Sequence, residues 1–377
     1  DQFPIKLERL SRIQNPDSQI ENPKMKAPKL DYAPRGPRRP KSHKLALIGC
    51  GGIAEYHLKA AQALGVEVVA LADVNLEAAK SRRDEFFPKA DVYDNHHDLL
   101  ARDDITVVEV ATHTAIRPAQ VMDALKAGNH VLSQKPFTSD IKEGRRMAAY
   151  AKRRKLHLGV NQNGRWAPQF GALIAAARKG ILGDIHSLDM SLAWDHTWIR
   201  GLPGANLHHL ILSDFAIHWF DVVVSVFGER KAKSVFANAV KAPKQDMKVP
   251  MLGNAVVNFG DGLATLAFSG YESFAPQEYL CCVGSKGTLR GTANVANLTE
   301  LELTTKKGTV KIPLKGKWFP DAFRGTLGEF LRSIEEKRNP SISASNNIRT
   351  LELCYAALAS ADTGLPVKPG KALIGRI

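Results

Sequence analysis

The chain has 377 residues, 44% of them hydrophobic and 24% charged, the balance of a soluble globular protein too long for one small core. Lysine and arginine (52) outnumber aspartate and glutamate (38), giving a formal charge of +14, but no zinc-finger spacing or aromatic-rich recognition strand accompanies that excess, so nucleic acid is not expected as a partner. No apolar run is long enough to span a bilayer, no secretory signal is recognisable, and four cysteines without a CxxC pair point to free thiols and a cytoplasmic setting.

Residues 1–43 read as a Pro-rich arm. Pro23, Pro28, Pro34, Pro37 and Pro40 favour extended chain, and only residues 5–13 have the pattern of a short helix. Such an arm is either a leader or a strap lying on a neighbouring subunit. From Lys44 the pattern changes. Short apolar runs at 44–49, 67–73, 106–112, 130–134 and 157–161 suit buried parallel strands, and segments of helical period at 54–64, 76–87, 118–127 and 141–152 separate them. Alternating strands and helices predict a Rossmann domain, a doubly wound parallel sheet, over 44–165.

After residue 165 the alternation stops. A helix at 170–179 precedes a strand at 185–193, a loop rich in Trp and His, and an apolar helix at 212–227. Strand-like runs then follow at 231–240, 254–259, 263–269, 278–283, 288–291, 300–304 and 309–312, and helices at 322–336 and 347–361 close the chain. The expected fold is α/β plus α+β. Residues 166–377 form a substrate-binding and oligomerisation domain whose large, mostly antiparallel, open-faced sheet is backed by helices. The open face predicts a homodimer or homotetramer.

The sharpest local signal is Gly49-Cys50-Gly51-Gly52-Ile53-Ala54, a GxGxxA turn between the first strand and the first helix. Glycines there let the backbone approach a pyrophosphate, and the amides of the helix start face its charge. Asp73, at the end of the second strand, suits the adenine ribose hydroxyls and repels a 2′-phosphate. NAD is therefore expected as cofactor rather than NADP. Thr112, His113, Gln134 and Lys135, at the ends of later strands, are further expected cofactor contacts.

Two more motifs, Ser133-Gln134-Lys135-Pro136 and Asp214-Phe215-Ala216-Ile217-His218-Trp219-Phe220-Asp221, make the chain resemble the Gfo/Idh/MocA family of glucose–fructose oxidoreductases, inositol dehydrogenases and related sugar dehydrogenases. The resemblance runs from about Lys44 to Val367 and includes Leu182–Ile185, Val283–Leu289 and Thr363–Val367. It implies that Lys135 matches the lysine of the family's EKP motif, beside the nicotinamide and the reacting hydroxyl. Gln134 stands where that motif has glutamate. It also implies that Asp214 and His218 match a DxxxH pair, which a helix places on one face. His218 is the expected general base, titrating near working pH, with Lys135 and Asp214 polarising the hydroxyl.

Around this pair Asn163, Arg165, Trp166, Trp194, His196, Trp198 and His209 are candidates for holding a carbohydrate or polyol, aromatic faces stacking on sugar rings and polar groups bonding to hydroxyls. His208, His209, Asp214 and His218 do not have a standard zinc spacing, and no metal is expected. The function expected is NAD-dependent hydride transfer between a sugar or polyol hydroxyl and nicotinamide. Two rivals are a sugar-interconverting or glycoside-cleaving enzyme that retains its NAD, which would show no net redox change, and a non-catalytic NAD-binding regulator, which the intact Lys135, Asp214 and His218 oppose.

Overall fold

The computed structural model describes residues 25–294 and 298–375. The short helix expected at 5–13 lies outside them. The first half is built on a six-stranded parallel sheet of order β3-β2-β1-β4-β5-β6, the doubly wound order of a dinucleotide-binding fold. Its strands are β1 (Lys44–Ile48), β2 (Glu67–Ala72), β3 (Asp91–Tyr93), β4 (Val107–Val110), β5 (His130–Ser133) and β6 (Leu158–Val160). The helices α1 (Ala54–Leu64), α2 (Leu76–Phe86), α3 (His96–Leu100), α4 (Arg117–Lys126) and α5 (Ile141–Arg153) connect them. The short β3 and α3 had no recognisable pattern, because so few residues carry no period.

Local chemistry explains the boundaries. Asn75 and Asp140 cap α2 and α5 by accepting hydrogen bonds from the Ala78 and Lys142 amides. Gly65, left-handed at φ 66°, ends α1. β1 and β4 are buried on both faces, which is why they read as unbroken apolar runs.

In the second half α6 (Pro168–Arg178) leads to β7 (Ile185–Ala193), then to α7 (Ile217–Phe227). The segment Ile211–Phe215 that enters α7 is a π-turn, where the sequence predicted the start of one regular helix. The remaining strands are β8 (Ser234–Val240), β9 (Leu252–Asn258), β10 (Leu263–Ser269), β11 (Gln277–Gly284), β12 (Gly287–Ala293), β13 (Glu300–Thr305) and β14 (Gly308–Pro313). They form an eight-stranded sheet of order β14-β13-β12-β11-β7-β10-β9-β8. The sheet is antiparallel except where β7, inserted at its centre, runs parallel to β10. One face packs on helices through residues such as Val235, Val257, Leu266 and Leu280, while Phe236, Val240, Leu263 and Tyr279 lie on the other and are exposed.

α8 (Asp321–Glu335) and α9 (Ala344–Thr363) return to the first half. Phe323, Leu327, Phe330 and Leu331 of α8 share a buried cluster with Leu45, Leu47 and Leu58 of β1 and α1. The core of the nucleotide-binding half thus includes chain from beyond residue 320. Residues 25–43 of the arm lie on their own chain. The Glu335 carboxylate accepts from the Arg38 and Arg39 amides, both at 2.8 Å, and Lys179 donates to the Lys29 carbonyl at 2.6 Å.

Candidate active site

Gly49 has φ 97°, and a Cβ there would meet Thr112 Cγ2 at 2.8 Å and the Ala111 backbone at 2.9 Å, so the position requires glycine. At Gly51 and Gly52 a Cβ would meet no protein atom within 4 Å. The space above this turn is open, as a ligand held close to the backbone needs. Asp73 is fixed by its neighbours: Oδ2 accepts from the Cys50 amide at 2.7 Å and Oδ1 from the Asn75 amide at 2.8 Å. Its remaining lone pairs are free to accept from a ribose. Gly49, Gly51, Asp73, Thr112 and His113 line a cavity of about 470 Å³ beside the start of α1, which Ile53 and Ala54 form. The glycine cradle, the carboxylate and the helix start together fit a dinucleotide. Val74, the residue after Asp73, is exposed and uncharged, so it offers a 2′-phosphate no cation.

A second cavity, about 180 Å³, adjoins the first at His113 and is walled by Arg117, Lys135, Pro136, Leu207, Ser213 and Asp214. Lys135 Nζ donates to Asp214 Oδ1 at 2.9 Å and to the Asp214 carbonyl at 3.0 Å. Burial works against ionising Asp214, but the Lys135 ammonium outweighs it and holds the carboxyl below the usual carboxylate range. The Lys135–Pro136 bond is cis. Gln134, in place of the motif's glutamate, turns its Oε1 back to accept from the Lys135 amide at 2.7 Å.

His218 lies behind this pair. It is 8% exposed, its Nδ1 has no hydrogen-bond partner among the described residues, and its ring meets Trp318 edge-on with centroids 5.6 Å apart. Burial, then the Lys135 charge, pushes its pKa down to about 3 against the pull of Asp214. The expectation that His218 titrates near working pH is corrected accordingly: its imidazole is neutral across the physiological range.

The expected substrate residues separate into two groups. His196 sits with Trp194, Trp198 and Phe215 in one aromatic cluster, its centroid 4.8, 5.1 and 5.1 Å from theirs. Both His196 nitrogens are buried without partners among the described residues, and burial lowers its pKa to about 4, with Asp214 and Lys135 near enough to act on it. Trp198 is largely exposed. The other residues are turned to other work. Arg165 forms a buried pair with Asp221 (Nε–Oδ2 2.5 Å, Nη2–Oδ1 2.7 Å) and donates to Asn346 and to the Ser341 carbonyl. Its expected sugar-binding role is corrected on that ground, because its guanidinium is occupied within the protein. Trp166 packs against Gly325 of α8. Asn163 Oδ1 accepts from Trp318 Nε1 at 2.8 Å, and His209 Nε2 lies 2.9 Å from Asp362 Oδ1.

One residue that matters gave no signal in the sequence. Arg117, buried at the start of α4, donates to the carbonyls of Thr112, Gln134 and Pro136. It clamps the loop that carries Lys135 to the strand end that carries Thr112. Burial lowers its own pKa to about 10, partly offset by Asp214. Arginine bound to carbonyls has no pairing pattern that could be seen along the chain.

The model of an oxidoreductase family with an NAD-binding Rossmann fold, Gfo/Idh/MocA, matches residues 43–162. D-apiose dehydrogenase of Paraburkholderia graminis is 26% identical over 345 residues, 87% of this chain and 90% of that protein. Myo-inositol 2-dehydrogenase of Thermotoga maritima is 23% identical, covering 86% of this chain and 98% of its own. Among solved structures, an oxidoreductase from Agrobacterium radiobacter in complex with NAD+, L-tartaric acid and magnesium superimposes with a TM-score of 0.78 at 21% identity, covering 88% of this chain and 99% of that one. Levoglucosan dehydrogenase in complex with NADH and levoglucosan does so with 0.74 at 18%, covering 87% and 100%.

Proposed function

We propose that the chain belongs to the Gfo/Idh/MocA family of oxidoreductases and is an NAD-dependent dehydrogenase acting on a CH–OH carbon of a sugar or polyol. The observation that carries the proposal is the junction at His113 of a cavity shaped for a dinucleotide and a smaller one walled by Lys135 and Asp214. NAD, when bound, supplies the hydride acceptor.

The protein's part is to hold the hydroxyl and to manage its proton. An ammonium has three donors, and two of those on Lys135 are committed to Asp214, which leaves one for the substrate oxygen. Ionised Asp214 keeps that ammonium aimed and Arg117 fixes the loop beneath it. In this reading Lys135 Nζ would donate a proton to the substrate oxygen in reduction and take it back in oxidation. Neutral His218 is close enough to feel both charges, but with so low a pKa it is a weak acceptor, so the proton exchange is assigned to Lys135. In this reading Trp194 and the exposed Trp198 offer aromatic faces to the ring of the substrate.

Incubating the protein with NAD and a panel of aldoses, inositols and anhydrosugars, while following reduced-cofactor absorbance and product identity, tests this reading. Oxidation of at least one polyhydroxylated substrate is expected; binding of NAD with no turnover on any class would overturn it. NAD is expected over NADP. Replacing Asp73 and Val74 together (Asp73→Ser, Val74→Arg) should move the ratio of affinities toward NADP by at least about tenfold, as removal of a repelling charge and gain of an attracting one requires. Assembly through the open sheet face, where Phe236, Val240, Leu263 and Tyr279 are exposed, belongs to the same proposal. Light scattering should give a dimer or tetramer.

A further inference from the structure

Away from the hydride-transfer cavity, the stretch between Asn206 and the π-turn carries two consecutive histidines whose rings face each other, centroids 4.0 Å apart. Neighbouring side chains ordinarily diverge. Here His209 has φ 46°, a left-handed conformation rare outside glycine, and that turn brings both rings to one side. Both imidazoles reach the same atom of the last turn of α9: His208 Nε2 lies 2.7 Å and His209 Nε2 2.9 Å from Asp362 Oδ1. The possible ligand atoms of the three residues all lie within 4.8 Å of one another.

We infer that His208, His209 and Asp362 form a binding site for a borderline divalent cation of the zinc type. Two imidazole nitrogens and one carboxylate oxygen are the donor set such an ion takes, with water completing four-coordination. Zinc bonds of about 2.0–2.2 Å need the three donors to separate only slightly from their present spacing. The cation takes the place of the two ring N–H groups that now converge on one carboxylate oxygen. Magnesium, which prefers all-oxygen octahedra and releases water reluctantly, is a poor match.

A second cluster serves as an internal contrast. His96, His97 and Asp123 also lie together, but only His96 reaches the carboxylate, at 3.2 Å. Lys126 Nζ stands 3.5 Å from the other Asp123 oxygen and opposes a cation there. At Asp362 both histidines converge, and among the described residues no other side chain forms an ion pair with it. The site also has leverage. Leu207 on one side and Ser213 and Asp214 on the other wall the small cavity, and the His209 carbonyl accepts from the Leu212 and Ser213 amides. An ion joining His208 and His209 to α9 ties that wall to the end of a long helix.

The test uses the full chain stripped with a chelator and then dialysed against micromolar Zn2+, with bound metal counted by elemental analysis and the thermal midpoint followed. One Zn2+ per chain is expected, with a midpoint that climbs with Zn2+ concentration by mass action and does not respond to Mg2+. Asp362→Asn and His208→Ala, both partly exposed and so safe for folding, should weaken Zn2+ binding by at least about tenfold, while Asp123→Asn leaves it unchanged. Circular dichroism confirms that each variant is folded. Failure of the wild type to retain Zn2+, binding that survives both Asp362→Asn and His208→Ala, loss of binding in Asp123→Asn, or an equal response to Mg2+ would each overturn the assignment.

Discussion

Asp214 and Asp221 lie on one helical stretch and each holds a cation, but the two pairs differ in what they leave over. Asp221 takes two bonds from Arg165 and a third from Thr350 Oγ1 at 2.9 Å, and both partners of the ion pair are at most 5% exposed. Arg165 spends its other donors on Asn346, in the first turn of α9, and on the Ser341 carbonyl just before that helix. That pair is closed and serves to join elements. Lys135 and Asp214 form a looser pair, with side chains 17% and 29% exposed, a spare ammonium donor and a cavity before them. Chemistry is found where hydrogen-bonding capacity is unspent, and cohesion where it is used up.

The largest break in that comparison should come from Lys135→Ala. Turnover should fall by about two to four orders of magnitude, while the unfolding midpoint moves less than in Arg165→Ala, since the Asp214 side chain, 29% exposed, keeps contact with solvent once Lys135 is gone. A variant that retains near wild-type turnover would remove the proton-exchange role. Arg165→Ala should show the opposite signature. Leaving Asp221 buried and unpaired costs about 3–5 kcal/mol, read as a lowered urea midpoint, and whatever protein stays folded should bind NAD normally. If Arg165→Ala instead raised KM with stability intact, the residue would return to the substrate site.

His218 stands between the two aspartates and sharpens the contrast through pH. In the unfolded chain its imidazole titrates near 6.5, but in the fold protonation waits until about 3 because the ring is buried beside Lys135. Below pH 6.5 the unfolded chain therefore takes up the proton first. The stability contributed by the neutral ring is fully present above that pH and falls by up to about 1.4 kcal/mol per pH unit until protonation reaches the folded state. Buried His196, also depressed, acts in the same window. Denaturant titrations at pH 7 and pH 5 should show the loss, and His218→Gln should flatten it. The acid limb of turnover, for the same reason, should not lie near pH 6.5 in the wild type; a limb there that vanishes in His218→Gln would restore His218 as the base.

How much of this was legible follows from the range of the interactions. The GxGxxA turn, Asp73 and the order of long strands and helices are local or periodic, and each is where the sequence placed it. The pairing of Lys135 with Asp214 was open to motif reading because both stand in short recognisable runs. The π-turn at Ile211–Phe215 has no period distinct from the helix it interrupts, and the central insertion of β7 depends on strands far along the chain. Arg165 was assigned to the sugar because its partner Asp221 is remote in sequence. Arg117 binds only main chain, so nothing in the residue types pointed to it.

The packing of α8 on β1 and α1 bears on how the molecule folds. A chain truncated after the sixth parallel strand would leave Leu58 and its neighbours without Phe323, Leu327 and Phe330, each worth about 1.5–3 kcal/mol when buried. The nucleotide unit is accordingly not an excisable module. It matures only after the C-terminal helices have been made, which favours a single cooperative unfolding step over two.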